Sequence, residues 1–306
     1  MKYITDISTV YYIMSESCNL ECSFCCLSNP KNTLSMSSEA FVKLFNSIKY
    51  DIGDCEISMN FSGGEPTLQV EKILDIIKSI RNNNISFGLY TNLTYEISDK
   101  IEELFSFCTI YTSWDPIQLR FKTKKNFDLW KENCTQIQPE CVNTILTEDL
   151  LLFDPYKLFE DYLSWNVKQV SFELLQVTGN ACISKMKMPR YISVDKWLCK
   201  AYDVQIPELQ IVLIENIKEA CTDTRNNKHN TVVMITTDGS VSIECDTFEH
   251  GYNHIHSCNF CSYYKYCRGV FFQTKTKYAG LCQFPKKLFK KIAQDYNPHI
   301  LSVLGV

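Results

Sequence analysis

Cys18, Cys22 and Cys25 place three thiols in the stretch Cys18-Asn19-Leu20-Glu21-Cys22-Ser23-Phe24-Cys25, at the spacing C-x3-C-x2-C. Thiolates are soft donors suited to Zn, Cu(I) or an iron–sulfur cluster. Three is the informative number, because a cuboidal 4Fe–4S cluster held by three cysteines keeps one iron open to a non-protein ligand. A structural zinc site is closed instead by a fourth nearby Cys or His. Cys26 is adjacent, but neighbouring side chains rarely point the same way, and the nearest His is His229. The competing reading is a set of inert buried cysteines, a common fate for this residue type.

A second group of thiols lies towards the C-terminus, Cys258-Asn259-Phe260-Cys261 followed by Cys267 and Cys282. Taken alone, four thiolates serve an iron–sulfur cluster or a four-cysteine zinc ribbon. Upstream, Thr236–Val241 reads as a hairpin around an Asp-Gly turn, with Cys245 beyond it. Gly63-Gly64-Glu65-Pro66 is a further candidate. Adjacent glycines let backbone approach a ligand or take positive φ, and a Glu beside them can pair with an ammonium. The same residues also suit a plain turn before a helix.

Elements must bring these groups together. Thr9–Met14 is β-rich and runs directly into the cysteine loop. Ser37–Ile48 reads as a helix capped by serine, with Phe41, Leu44, Phe45 and Ile48 on one face. Glu56–Phe61 alternates as a strand and enters the Gly-Gly-Glu-Pro segment; Val70, Ile73, Ile76, Ile77 and Ile80 then mark an amphipathic helix. Strands over Ile85–Thr91, Thr109–Ser113, Cys141–Leu146 and Val167–Leu175 continue the alternation, with helices over Glu96–Phe105 and Pro155–Trp165. Six βα-type repeats predict an α/β fold, a parallel sheet closed or partly closed, with ligands at the C-terminal strand ends.

Composition bounds the rest. With 306 residues, 45% of them hydrophobic, the chain can bury one large domain, with or without a small appendage. A net charge of −4 argues against a nucleic-acid binder. The short basic runs Lys122–Lys125, Lys286-Lys287 and Lys290-Lys291 read as solvated faces. No signal peptide and no apolar run of membrane length are present, which makes a cytoplasmic protein the default. In that compartment 16 cysteines are expected as thiols or metal ligands. Cys55, Cys108, Cys134, Cys141, Cys182, Cys199 and Cys221 are read as core.

The triad, with Phe24 before its third Cys, resembles the signature of the radical S-adenosylmethionine (radical SAM) superfamily. That resemblance implies a partial (β/α)6 TIM-like barrel with a small Cys-rich C-terminal extension. It implies a 4Fe–4S cluster on Cys18, Cys22 and Cys25, whose open iron takes SAM and splits it to a 5′-deoxyadenosyl radical that abstracts hydrogen from a substrate. Gly63, Gly64 and Glu65 match the segment that holds the methionine amino group of SAM. Asn92, in Tyr90-Thr91-Asn92, matches the third-strand end. Ser113 and Asp115 match the fourth-strand Ser-x-Asp-Gly, with Pro116 where Gly is usual. Val177-Thr178-Gly179-Asn180-Ala181 resembles the Gly-Arg-Ala after the sixth strand, with Asn180 in the Arg position.

Cys258-x2-Cys261-x5-Cys267 with Cys282 resembles a SPASM or shorter twitch extension, which implies one auxiliary 4Fe–4S cluster; Phe271 stands where a full SPASM domain has another Cys. Cys245 is then a core residue, a hydrogen-atom donor as in radical SAM peptide epimerases, or a cluster ligand. The implied domains are 1–184 (barrel), 185–229 (helical bridge) and 230–306 (auxiliary-cluster domain with a C-terminal helix). Lys185, Lys187 and Arg190 follow the sixth strand and read as solvated charges.

The implied function is modification of a ribosomal precursor peptide by crosslinking or epimerisation, with an external flavodoxin- or ferredoxin-type electron donor and neither nucleic acid nor membrane as partner. Only 17 residues precede the triad, so leader recognition is expected from the barrel, the C-terminal region or a separate protein. The alternatives are a small-molecule radical SAM dehydrogenase and, in another class, a non-enzymatic four-cysteine zinc scaffold.

Overall fold

The computed structural model describes residues 7–28, 30–52, 56–82, 84–116, 120–222, 231–245 and 285–304. Strands and helices alternate as β1 (Ile7–Ile13), α1 (Ser38–Ile52), β2 (Ile57–Ser62), α2 (Val70–Ile80), β3 (Ile85–Tyr90), α3 (Asp99–Phe105), β4 (Cys108–Ser113), α4 (Lys124–Ile137), β5 (Cys141–Leu146), α5 (Pro155–Ser164) and β6 (Gln169–Leu174). α6 (Gly179–Ile183), α7 (Tyr191–Asp203), β7 (Gln210–Ile211), α8 (Val212–Thr222), β8 (Thr231–Ile235) and β9 (Val241–Cys245) follow, then α9 (Lys286–Tyr296) and α10 (His299–Val303). The strands form one sheet in the order β7-β6-β5-β4-β3-β2-β1-β8-β9. β1 to β6 pair in parallel, each joined to the next by a helical crossover as parallel pairing demands. This is a partial TIM-like α/β barrel.

The two faces of the sheet differ in chemistry, and the alternation of side chains along each strand is the cause. One face carries Tyr12, Met59, Phe61, Leu89, Val142 and Phe172, all buried. It packs on the helices: Tyr12 stacks on Phe41 of α1 at 4.2 Å, and Phe172 meets Trp197 of α7 edge-on at 5.0 Å. The opposite, inward face carries Tyr11, Asn60, Tyr90, Tyr111, Asn143 and Ser171. A closed barrel fills that space with branched apolar layers. Here most inward positions are polar or aromatic.

An aromatic group fastens the β4 end to the helices. Trp114, directly after β4, meets Trp165 at 4.6 Å and Tyr162 at 5.1 Å, and Trp130 of α4 donates its indole N–H to Thr112 at 3.2 Å. Large buried aromatics of this kind are worth about 3–5 kcal/mol each against alanine. α4 is an element that the strand-and-helix alternation left blank. Thr123 caps it by accepting from the Asn126 N–H at 3.3 Å, and Phe127, Trp130, Cys134 and Ile137 form its inward stripe. Cys182 is exposed, contrary to its reading as core. Cys134, Cys141 and Cys221 are buried, while Cys55 lies outside the described residues.

Candidate active site at the barrel mouth

β1 delivers the chain into the cysteine loop, and the loop is stitched down on two sides. On the first side, Ser15 O accepts from Gly64 N at 2.8 Å, and Ser17 O accepts from Glu65 N at 2.7 Å. The contact is so close that a Cβ on Gly64 would stand 2.1 Å from Ser17 O, which only glycine avoids. On the second side, the start of α6 reaches back across the barrel mouth. Asn180 N donates to Leu27 O at 3.0 Å and Ala181 N to Cys25 O at 3.1 Å. Gly179 sits at φ +49°, with room for a Cβ blocked by Cys26 O at 2.2 Å. Cys18 N donates to Pro30 O at 2.9 Å, so the loop is held at both ends.

Glu65 is 1% exposed and ties three segments together. Its Oε1 accepts from Thr67 N, Thr67 Oγ1 and Thr91 Oγ1, and its Oε2 from Asn92 N at 2.7 Å. Burial pushes its pKa above the ordinary carboxylate value, and the four donors oppose that rise. Asn92 in turn donates its side-chain N–H to Asn19 Oδ1 at 2.6 Å and lies 3.7 Å from Cys18 Sγ. The Gly-Gly-Glu segment, the β3 end and the cysteine loop therefore form one hydrogen-bonded unit.

The three thiols sit within electrostatic reach of one another. Burial pushes Cys18 up to about 11 and raises Cys22. Cys18 accepts from Leu20 N at 3.4 Å, while Cys25 hydrogen-bonds the thiol of Cys26, which is thereby lowered to about 7. Cys26 was expected to diverge from the triad; instead its thiol lies against Cys25. Among the described residues no three His, Cys, Asp or Glu side chains stand as a converged metal-ligand group.

Phe24 is buried, and the guanidinium of Arg120 stands over its ring at 5.1 Å. Arg120 Nε lies 4.0 Å from Asp115 Oδ2, and both side chains are largely buried. The Arg120 charge lowers the Cys22 and Cys25 thiols. Sequence reasoning passed over Arg120, which lies in a loop beyond Pro116 with no periodicity to mark it. Ser113 ends β4 on the inward face, in register with Asn143.

The residues fit a thiolate-held cluster with a co-ligand that offers hydrogen-bond acceptors, on two counts. The donor set is three soft thiols on one anchored loop. Ser23 Oγ and Arg120 Nε, on and beside that loop, are buried with no hydrogen-bond partner among the described residues, so polar groups there await a ligand. Cys245 ends β9 opposite Thr231. Cys258, Cys261, Cys267 and Cys282 lie outside the described residues. No helix among the described residues is long and apolar enough to cross a membrane.

A partial parallel barrel with an anchored three-thiol loop at its mouth is an α/β architecture that carries a candidate set of soft metal ligands. The Radical SAM superfamily profile matches residues 12–140. The uncharacterized protein MJ0907 of Methanocaldococcus jannaschii is 30% identical over 219 residues, 64% of this chain and 73% of that protein. The chain belongs to the radical SAM superfamily. Its fold is similar to anSMEcpe with bound AdoMet, at TM-score 0.72 and 18% identity over 98% of this chain and 99% of that one. The same protein with AdoMet and the Cp18Cys peptide gives TM-score 0.69 at 17% identity, again over 98% and 99%. Streptococcus suis SuiB bound to its precursor peptide SuiA gives 0.54 at 14% identity, over 78% of this chain and 59% of SuiB. At these identities the structures speak to the fold. Membership in the superfamily implies a 4Fe–4S cluster and SAM.

Proposed function

We propose that the chain is a radical SAM enzyme that modifies a ribosomally made precursor peptide, by crosslinking or epimerisation. The observation that carries this reading is the three-thiol loop clamped between the β2 end and the start of α6, at the mouth of a barrel whose inner face is polar. The peptide part draws support from two similar folds whose structures hold peptides, Cp18Cys and SuiA.

In this reading Cys18, Cys22 and Cys25 hold the cluster. When bound, the cluster and SAM supply reductive cleavage to a 5′-deoxyadenosyl radical, which takes a hydrogen atom from the peptide. The chain's own residues bind and exclude water. Gly63 and Gly64 offer close backbone to the methionyl end of SAM, Glu65 and Asn92 fix that backbone to β3, and Phe24, Ser113 and Asp115 line the cofactor's surroundings. Cys258, Cys261, Cys267 and Cys282 hold one auxiliary 4Fe–4S cluster in a SPASM- or twitch-like extension. For epimerisation, Cys245 gives a hydrogen atom to the substrate radical, and its thiyl takes back an electron and a proton; for a crosslink, the substrate radical gives up an electron to the auxiliary cluster and Cys245 stays a core residue. The electron that cleaves SAM comes from a flavodoxin- or ferredoxin-type donor in the cytoplasm.

Anaerobic reconstitution tests the reading. About eight irons per chain are expected for two four-iron clusters, with 5′-deoxyadenosine released on addition of SAM and dithionite. Cys22→Ala abolishes that release. Zinc in place of iron at the C-terminal thiols ends the auxiliary-cluster part, and no 5′-deoxyadenosine ends the whole. Under the donor role Cys245→Ala stops product formation; unchanged product removes the role.

A further inference from the structure

The inward positions of β1 to β6 alternate with the buried outward ones, so their side chains share the concave face. Along them stand Thr, Tyr, Ser, Asn, Cys, Gln, Ile and Gly, and a single formal charge, Glu173. Glu173 pairs in register with Ile145, one inward position nearer the mouth than Ser171 and Asn143. That is the end where the cysteine loop lies. Water reaches Glu173, yet protein crowds its carboxyl enough that desolvation alone raises its pKa. Among the described residues nothing donates to it and no cation pairs with it. Its charge is felt at Cys26, Tyr90 and Cys141.

A row of tyrosines shares this inward face, and the charge of Glu173 is felt at Tyr90. Tyr90 stacks on Tyr111 with centroids 4.7 Å apart, and Tyr11 leans on Tyr90 at 5.7 Å, their hydroxyls 3.3 Å apart. Burial raises the Tyr90 and Tyr111 hydroxyls further from ionisation. A lone carboxylate whose surroundings are only partly hydrated favours a cation. Neutral tyrosine faces favour one too, through the ring quadrupole. The two features point to the same chemistry independently.

We propose that the barrel interior selects a substrate carrying an alkylammonium or guanidinium group, bound by the Glu173 carboxylate on the inward face that also carries the tyrosine row Tyr11, Tyr90 and Tyr111. The proposal deepens the peptide reading and rests on it for the source of that group, a Lys or Arg side chain.

The test uses the reconstituted, SAM-loaded protein and three probes followed by ligand-observed NMR titration: agmatine, acetyl-Gly-Lys-Gly-amide, and the same tripeptide with norleucine for Lys. Agmatine and the Lys peptide are expected to bind saturably while the norleucine peptide does not. Glu173→Gln weakens both cations about tenfold or more, and Glu173→Asp, which keeps the charge, restores part of the binding. Equal binding of the Lys and norleucine peptides overturns the proposal, as does unchanged cation binding in Glu173→Gln. A loss of SAM affinity in Glu173→Gln as large as the loss of agmatine also overturns it, because the carboxylate then reads the cofactor. Binding of agmatine but not of the Lys peptide upholds the Glu173 site and counts against the peptide substrate. Absence of 5′-deoxyadenosine release counts against the radical SAM reading and leaves the cation titration standing.

Discussion

Glu65 is held by four donors in a place water does not reach, and the balance of those two facts sets its response to pH. Burial dominates and raises its pKa, so the folded chain binds this proton more tightly than the unfolded chain. The sign follows from linkage: Glu65's contribution is fully present below the unfolded value, about 4.3, and is lost as pH rises through the raised folded value. Measured by urea denaturation without SAM, wild type should gain stability relative to Glu65→Gln as pH falls from neutrality towards that lower bound. A difference between the two that stays flat across the window excludes the raised pKa. At pH 7 Glu65→Gln also sets an amide N–H against the donors of Thr67, Thr91 and Asn92, at a cost of about 1–3 kcal/mol. The motif marked Glu65 as a partner for an ammonium; its tie to Thr91 and Asn92 spans 26 and 27 residues, a distance over which no local pattern speaks.

At the scale of elements, the loop depends on α6 as much as on the Gly-Gly-Glu segment. Gly179→Ala puts a Cβ at 2.2 Å from Cys26 O in a left-handed conformation, so the α6 start must move away from Cys25 and Leu27. The expected outcome is a folded protein by far-UV circular dichroism that takes up less iron and sulfide in the Cys18 loop on anaerobic reconstitution. Full loading at that site means α6 is dispensable as a clamp. The βα alternation was legible because the strands interleave polar with apolar or β-branched residues at period two, as in Ile57–Ser62 and Gln169–Leu174, and amphipathic helices read as stripes. α4 escaped because its first turn is Lys124-Lys125 and its stripe mixes Phe, Trp, Cys and Ile. The α6 clamp escaped because it joins positions 152 residues apart, as Thr178 Oγ1 to Cys26 O does at 3.4 Å. Glu173 left little signal, because in Gln169–Leu174 it falls on the polar face of an alternating strand with Gln169 and Ser171, where a charge reads as solvated.

Across the whole molecule, the C-terminal part of the chain is fastened to the barrel twice. β8 enters the sheet parallel to β1, with Tyr11 opposite Met234, and β9 closes the hairpin. α9 then docks on α7 and α8 through Asp195, a buried carboxylate in the middle of α7. Asp195 accepts from Lys287 N at 2.9 Å, Leu288 N at 3.0 Å and Tyr191 Oη at 3.2 Å, and Tyr191 Oη itself accepts from Lys286 N at 2.7 Å. This caps α9 from 93 residues away, serving donors that a helix start leaves open. The segment bearing Cys258, Cys261, Cys267 and Cys282 therefore leaves from one anchored element and returns to another on the same body. Asp195→Ala strands two backbone donors in a dry contact and should cost about 1.5–3 kcal/mol, the range for hydrogen bonds to a charged acceptor; Asp195→Asn keeps an acceptor and should cost less. Hydrogen exchange separates this role from a general loss of stability. Amides of 286–296 should lose protection in Asp195→Ala before those of β2 and β3 do, and uniform loss across both regions rejects Asp195 as the docking cap.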